Sequence, residues 1–252
     1  MEQKKNKAKK VIFWVSLAIF VLGLIFIGFL LVNTYLVPEI NEPIPASSVP
    51  KAPEPELPDN PIDFIAEKQK HPDIYAWISI PNTNVNYPIV QHPTDDSFYL
   101  DHNSEKKYTQ AGAIYSEMKN SKDFSDPNTV LYGHNMLNGS MFRDLHKFRK
   151  DEKFWNDNKY IYVYTPGHIL TYEICAAYRY DNRHILNSFD FSDAAVFEEY
   201  LQTVRDPKSL IRRTRQIELN KNSKILTLST CISNPAYRYL VQGVLIKDEP
   251  TK

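Results

Sequence analysis

The chain has 252 residues, and its 30 lysines and arginines balance its 30 aspartates and glutamates, so the formal net charge is zero. A hydrophobic fraction of 42% and a mean hydropathy of −0.43 exclude both a disordered chain and a polytopic membrane protein. Two cysteines are too few for a disulfide scaffold, and the balanced charge argues against a general nucleic-acid-binding protein.

The charge is unevenly distributed, and the first 35 residues have the pattern of a membrane anchor. Residues 1–10 carry five lysines and one glutamate, and the uncharged stretch that follows has an apolar core of 22 residues, Val11 to Val32. A helix of that length spans about 33 Å, enough to cross the hydrocarbon of a bilayer. A cleavable signal peptide is the alternative, but its apolar region is typically about 7–15 residues long and precedes a small-residue cleavage site. We therefore predict a cytoplasmic basic tail (1–10) and a transmembrane signal anchor (11–35), with the rest of the chain outside the cell membrane.

A proline-rich segment, residues 36–60, follows the predicted anchor. Residues 38–61 contain eight of the 17 prolines and no glycine. This composition favours an extended polyproline II conformation of about 3 Å per residue. The segment is either a stalk that reaches into the cell envelope or a disordered linker without a tuned length. Five acidic residues against one lysine give it a charge of −4, which leaves residues 61–252 near neutral.

Residues 61–252 form one domain of about 190 residues, large enough to bury a hydrophobic core. Short helices are predicted over residues 61–73, 138–148 and 192–204, and Ser192 is the predicted N-cap of the third. Four apolar residues share one face of that helix: Val196, Phe197, Tyr200 and Leu201.

Strand patterns dominate the rest of the domain. Eight segments are rich in β-branched and aromatic residues and are separated by Pro, Asn, Asp and Gly turns. These predicted strands cover residues 73–80, 84–90, 111–117, 128–134, 159–165, 168–180, 224–230 and 237–246. Eight short strands with few helices predict a mainly β fold, a closed or nearly closed barrel with helices on its outside.

Three residues at the ends of predicted strands carry the chemistry. Cys231 follows an apolar strand, His134 follows another, and Arg238 opens the last strand, close enough in sequence for a short hairpin to return it beside Cys231. Taken singly, such a cysteine is more often a buried structural thiol, and such a histidine is more often an ordinary surface residue. Together they supply a nucleophile, a general acid/base and a cation for a developing oxyanion.

The segments TLSTC (227–231) and YGHNM (132–136), followed by an arginine that opens a C-terminal strand, resemble the signature of sortases. Sortases are the cysteine transpeptidases of Gram-positive cell surfaces. Further segments resemble class B: residues 77–91, 98–102 and 133–148, with a helical insertion around 190–206. The resemblance covers residues 61–248 and implies a sortase-type closed β-barrel of about eight strands with peripheral helices, preceded by an N-terminal transmembrane helix.

The resemblance also implies roles for the three residues. Cys231 would be the nucleophile, His134 the general acid/base, and Arg238 the clamp on the oxyanion or substrate carbonyl. The implied reaction cleaves a C-terminal sorting signal after Thr through a thioacyl-enzyme at Cys231. An amine of lipid II or of a peptidoglycan cross-bridge then receives the substrate protein, which becomes anchored to the cell wall. A cationic arginine and a protonatable histidine favour the reactive thiolate, which agrees with these roles.

Several alternatives stay open at the level of sequence. A cysteine endopeptidase that mainly hydrolyses would share the same acyl-enzyme, and a catalytically silent surface-binding domain could use the same groove. The expected partners are surface proteins with NPxTx- or SPxTG-like sorting signals, and wall anchoring and pilus assembly are both compatible with the sequence. No metal-ligand spacing, calcium loop or phosphate loop is present, so no cofactor and no nucleic-acid partner are predicted.

Other residues near the three motifs receive lesser roles. No carboxylate lies between Cys231 and Arg238, which excludes an acid-assisted triad from this loop. Ser229 is the predicted source of a supporting hydrogen bond. Four residues are predicted to contact substrate: Asp101, Tyr178, Thr230 and Ile232. Six residues are interpreted as structural, surface or packing residues: Cys175, His92, His102, His146, His168 and His184.

Overall fold

The computed structural model describes residues 14, 16–17, 19–30 and 57–252, and the chain divides into two compact units, 1–55 and 56–252. In the first unit the described residues are helical and their large apolar side chains are exposed. Among the described residues, no helix is long and apolar enough to cross a membrane. The predicted basic tail, both ends of the predicted anchor and the proline-rich segment up to residue 56 lie outside the described residues.

The second unit is built around one β-sheet. The described residues form nine strands: β1 (Ile74–Ser79), β2 (Asn86–Val90), β3 (Ile114–Tyr115), β4 (Asn128–Tyr132), β5 (Tyr160–Thr165), β6 (His168–Asp181), β7 (Arg212–Thr214), β8 (Ile225–Cys231) and β9 (Tyr237–Pro250). Their order is β5-β1-β2-β3-β4-β8-β9-β6-β7, and β5 also pairs with β6. Eight strands therefore close into a ring, as the sequence predicted, and β7 is an addition to the edge of β6.

The hydrophobic pattern of β8 shows why apolar clusters lie on both sides of this strand. Leu226 and Leu228 point into the barrel interior, whereas Ile225 belongs to a second cluster outside it. The outer cluster includes Tyr200 and Leu201, so a helix covers this side of the sheet. The strand is buried on both faces although it contains Thr227, whose buried hydroxyl donates to Oδ1 of Asn128 at 2.8 Å.

Five α-helices lie in the same unit: α1 (Phe64–Lys70), α2 (Lys147–Lys150), α3 (Glu152–Asp157), α4 (Ile185–Ser188) and α5 (Ala194–Arg205). Two 3₁₀ turns, Phe98–Leu100 and Arg143–His146, lie between strands and helices. Helices α3 and α4 are short and were not predicted from the sequence.

Two helix predictions need correction. The N-cap of α5 is Asp193 rather than Ser192, because the Asp193 carboxylate accepts the backbone N–H groups of Ala195 and Val196. The helix predicted over 138–148 begins only at the 3₁₀ turn, because Gly139 (φ 90°) and Met141 (φ 54°) adopt left-handed backbone that no right-handed helix accommodates. The predicted apolar face of α5 is confirmed, although its first member, Val196, is only half-buried.

Candidate active site

Strand pairing brings Cys231, His134 and Arg238 to one edge of the barrel. Strand β8 lies between β4 and β9, and Cys231 is directly opposite Arg238 in the antiparallel β8–β9 ladder. The parallel β4–β8 ladder continues past β4, because the Gly133 N–H donates to the Ser229 carbonyl at 3.2 Å. His134 is the next residue, so it lies beside the end of β8. All three residues line one cavity of about 300 Å³.

The Cys231 thiol lies at the boundary between core and solvent. The six residues of β8 before it are all buried, whereas Cys231 itself is exposed and forms no disulfide. The second cysteine, Cys175, is buried, and its thiol donates to the Gln242 carbonyl at 3.3 Å. Burial raises the pKa of the Cys175 thiol to about 12, so this thiol stays protonated and inert, as its predicted structural role requires.

The backbone carbonyl of Leu100 sets the proton position on His134. Nε2 of His134 lies 2.8 Å from the Leu100 oxygen, at the end of the 3₁₀ turn Phe98–Leu100. A carbonyl only accepts hydrogen bonds, so Nε2 carries the proton. In the neutral ring Nδ1 is then the basic nitrogen that can exchange a proton with a reacting group.

Arg238 presents a positive charge to the cavity. One guanidinium nitrogen, Nη1, donates to the carbonyls of Pro235 and Tyr237 at 3.1 and 3.0 Å. Within the part of the chain that the structure describes, no carboxylate forms an ion pair with this side chain. Arg238 therefore brings to the cavity a positive charge that no carboxylate of the described residues neutralises.

The residues predicted to support the site fall into two groups. Ser229 and Thr230 both line the cavity. The hydroxyl that links β8 to the segment after β4 is that of Thr230, which donates to the Gly133 carbonyl at 2.7 Å. Ile232 does not line the cavity and packs against the barrel core instead.

Asp101 and Tyr178 also lie outside this cavity. Asp101 pairs with His102 at 2.7 Å, and its neighbour Leu100 lines the cavity in its place. Tyr178 is buried in the outer core cluster, because β6 is still covered by α5 at this point. Tyr180, two residues later on the same face, lines the cavity in place of Tyr178.

The far wall of the cavity was not predicted from the sequence. Glu117 and His184 pair there, with Oε1 and Nε2 2.7 Å apart, and the Glu117 side chain is only 12% exposed. Tyr115 and Tyr132 stack beside them at 5.3 Å, and burial, with the nearby Glu117 carboxylate as the next cause, raises the pKa of each phenol. The sequence did contain an indication that Glu117 belongs to the site, because Glu117 ends a predicted strand, as His134 does.

Residues 78–246 match the Sortase domain family, which is more than half of the chain. The chain belongs to the sortase family. Among its curated relatives, Sortase B of Listeria monocytogenes is 34% identical over 190 residues, which cover 73% of this chain and 74% of the relative. The sortase therefore belongs to class B and is a cysteine transpeptidase, as the resemblance implied.

Solved structures agree with this assignment. The X-ray structure of Clostridium perfringens sortase B matches the sortase with a TM-score of 0.65 at 35% identity, covering 73% of this chain and 99% of that one. A Staphylococcus aureus sortase B–substrate complex matches with a TM-score of 0.65 at 26% identity, covering 73% of this chain and 84% of that one. The transpeptidase interpretation is thus favoured over a hydrolytic enzyme or a silent binding domain.

Proposed function

We propose that Cys231, His134 and Arg238 are the catalytic residues of this transpeptidase. The observation that carries the proposal is the direct cross-strand pairing of Cys231 with Arg238 at the cavity that also holds His134. A thiol that is exposed beside an uncompensated guanidinium and a histidine has the surroundings that favour a reactive thiolate. The same three residues are those implied by the sequence resemblance.

The first step forms a thioester and releases an amine. The Cys231 thiolate attacks the carbonyl carbon of a threonine in the sorting signal, and Arg238 stabilises the resulting oxyanion. His134, which takes up the thiol proton on Nδ1 as the thiolate forms, then donates that proton to the departing amine as the C–N bond breaks. The Leu100 carbonyl supports this role, because it occupies Nε2 and leaves Nδ1 for the transfer.

The second step reverses the proton transfer. An incoming amine attacks the thioester, His134 accepts its proton, and the C–S bond breaks to regenerate the thiolate. The proposed amine belongs to lipid II or to a peptidoglycan cross-bridge, and the product is a surface protein joined to the cell wall through an amide bond. The proposed sorting signal is of the NPxTx or SPxTG type, held as an extended peptide in the cavity.

The proposed location is the outer face of the cell membrane. Five lysines in residues 1–10 and the uncharged apolar run after them support a single-pass anchor with a cytoplasmic N-terminus. The acidic, proline-rich residues 36–60 would then separate the catalytic domain from the membrane.

The decisive experiment detects the thioester. The purified full-length chain is mixed with NPxTx-, SPxTG- and LPxTG-type peptides, and intact-mass spectrometry measures the adduct. We expect an adduct on Cys231 with at least one peptide and none in a Cys231→Ala variant. Addition of a peptidoglycan-type amine should convert the product from the free acid to the amide. The absence of adducts with all three peptides, or full cleavage by Cys231→Ala, would refute the proposal.

A further inference from the structure

Two side chains hold the backbone carbonyl of Cys231 from outside the cavity. Nδ2 of Asn135 lies 3.0 Å from this oxygen, and Nε2 of His146 lies 3.1 Å from it. Neither residue lines the cavity of the site, so neither is placed to contact substrate there. Both come from the connection that follows His134, which therefore reaches back to the end of β8.

Asn135 extends the β4–β8 ladder by one step. The last backbone bond of this parallel ladder runs from the Gly133 N–H to the Ser229 carbonyl. Two residues further along each strand are Asn135 and Cys231, and here the side-chain amide of Asn135 is the donor. Arg143 fixes the orientation of that amide, because its Nη1 donates to Oδ1 of Asn135 at 2.9 Å. An arginine cannot accept, so Nδ2 must face the Cys231 carbonyl.

His146 is a buried neutral donor. The residue is 5% exposed, and its ring stacks on Tyr239 with ring centroids 5.0 Å apart. Burial is the main cause that lowers the pKa of His146 to about 4; the hydrogen bond to the Cys231 carbonyl opposes the shift, and the nearby Arg149 and Arg143 add to it. The carbonyl can only accept, so Nε2 carries the proton of the neutral ring. His146 thus keeps its hydrogen bond at neutral pH without adding charge beside the thiol.

We propose that Asn135 and His146 are positioning residues that hold Cys231 in its reactive geometry. Cys231 is the last residue of β8, where a strand is most free to fray. Two donors on its carbonyl fix the rotation of the peptide unit that follows Cys231, and with it the direction in which Cβ and Sγ project toward His134 and Arg238. The inference rests on the proposed role of Cys231 as the nucleophile.

The position of the thiol controls the rate of the first step. A misplacement of about 1 Å in a reacting group can lower a rate about 100-fold. Loss of a donor that acts only through Cys231 should therefore lower kcat and leave KM for the peptide nearly unchanged. A merely structural role for either residue would instead lower the thermal midpoint without this split.

The test compares four variants of the full-length chain, one of them a control. His146→Phe keeps an aromatic ring against Tyr239 but removes the donor, whereas His146→Gln places an amide N–H at similar reach. Asn135→Ala removes the other donor at a half-exposed position. Asn138→Ala is the matched control, because Asn138 lies in the same connection and, among the residues that the structure describes, its amide oxygen accepts from Ser140 alone.

Two readouts decide the outcome: steady-state cleavage of a sorting-signal peptide, and the pH profile of Cys231 alkylation by iodoacetamide. We expect His146→Phe and Asn135→Ala each to lower kcat about tenfold, with KM within about twofold of the parent. The midpoint of the alkylation profile should move to higher pH in both, and His146→Gln and Asn138→Ala should match the parent in both readouts.

Wild-type kcat and alkylation profiles in Asn135→Ala and in a folded His146→Phe would overturn the inference. If His146→Phe does not fold, Asn135→Ala decides alone, since its site is half-exposed. The Cys231→Ala variant distinguishes a failure of the positioning role from a failure of the proposed function. If that variant is inactive while the donor variants behave as the parent, only the positioning role is refuted. If it retains cleavage, the nucleophile itself is wrongly assigned.

Discussion

Acidification should destabilise this sortase through His146. The ring is buried and neutral in the fold, and its pKa falls from 6.5 to about 4, chiefly because burial penalises the charged form. In the unfolded chain the same imidazole takes up a proton near pH 6.5. The unfolded state therefore binds more protons than the folded state between these two values. The contribution of His146 to stability is complete above pH 6.5 and is lost as the pH falls toward 4.

The size of the effect follows from the two pKa values. A shift of 2.5 units corresponds to at most about 3 kcal/mol, of which about 2 kcal/mol should be lost between pH 7 and pH 4.5. Three cations lower the pKa in addition to burial, namely Arg143, Arg149 and Lys150, and all of them stay charged over this range. The contributions of the other ionisable groups must be cancelled by a reference protein that differs from the parent only at residue 146.

His146→Gln supplies that reference, because it retains an amide donor and has no titrating group. Urea unfolding of the parent and the variant at pH 7 and pH 4.5 gives four free energies of unfolding. We expect the parent to lose about 2 kcal/mol more than the variant over this interval. A parallel loss in both proteins would refute the reasoning, since it would mean that His146 is protonated in the folded state or that the ring is not buried.

Three further predictions concern the site itself. Arg238→Lys should lower kcat about 100-fold with little change in KM, because the planar fork of donors is lost, and an unchanged kcat would contradict an oxyanion role. Gly133→Ala should lower the free energy of unfolding, measured in urea, by about 1–3 kcal/mol, because the new Cβ would lie 2.7 Å from the buried Phe142 ring. An unchanged urea midpoint of unfolding would show that the ring moves freely. Glu117→Gln should raise the peptide KM severalfold, because His184 loses its carboxylate at the cavity wall, while thiol alkylation stays at the parental rate. An unchanged KM would remove this pair from the substrate site.

The strands of the barrel could be predicted because their pattern is local. Each of the eight predicted segments alternates or runs apolar over its own length, and the short loop after Cys231 already suggested a hairpin that returns Arg238. Strand β7 was missed because its three residues, Arg-Arg-Thr, are charged or polar and mostly exposed. Strand β7 joins the sheet through backbone hydrogen bonds to β6. The pattern of side chains in the sequence does not predict such backbone pairing.

The wall of the cavity could not be predicted because it is assembled from distant segments. Glu117 and His184 are 67 residues apart and meet only when β3 and the segment before α4 reach the same edge of the barrel. Alternation shows that Tyr178 and Tyr180 share a face of β6, but not where along the strand the covering helix ends. The choice between those two tyrosines depends on the extent of α5, which is a tertiary property.

The distribution of charge indicates how this sortase recognises its substrate. The neutral total arises from a basic N-terminal segment and an acidic proline-rich segment, whereas the catalytic domain carries almost no net charge. A near-neutral domain exerts little long-range attraction on a peptide, because exposed charges are screened beyond about 8 Å at physiological ionic strength. The cavity nevertheless contains a full positive charge on Arg238 and a mostly buried carboxylate on Glu117. Under the proposed function, discrimination between peptides therefore comes from contacts within the cavity, whose lining includes Arg238 and the pair of Glu117 and His184.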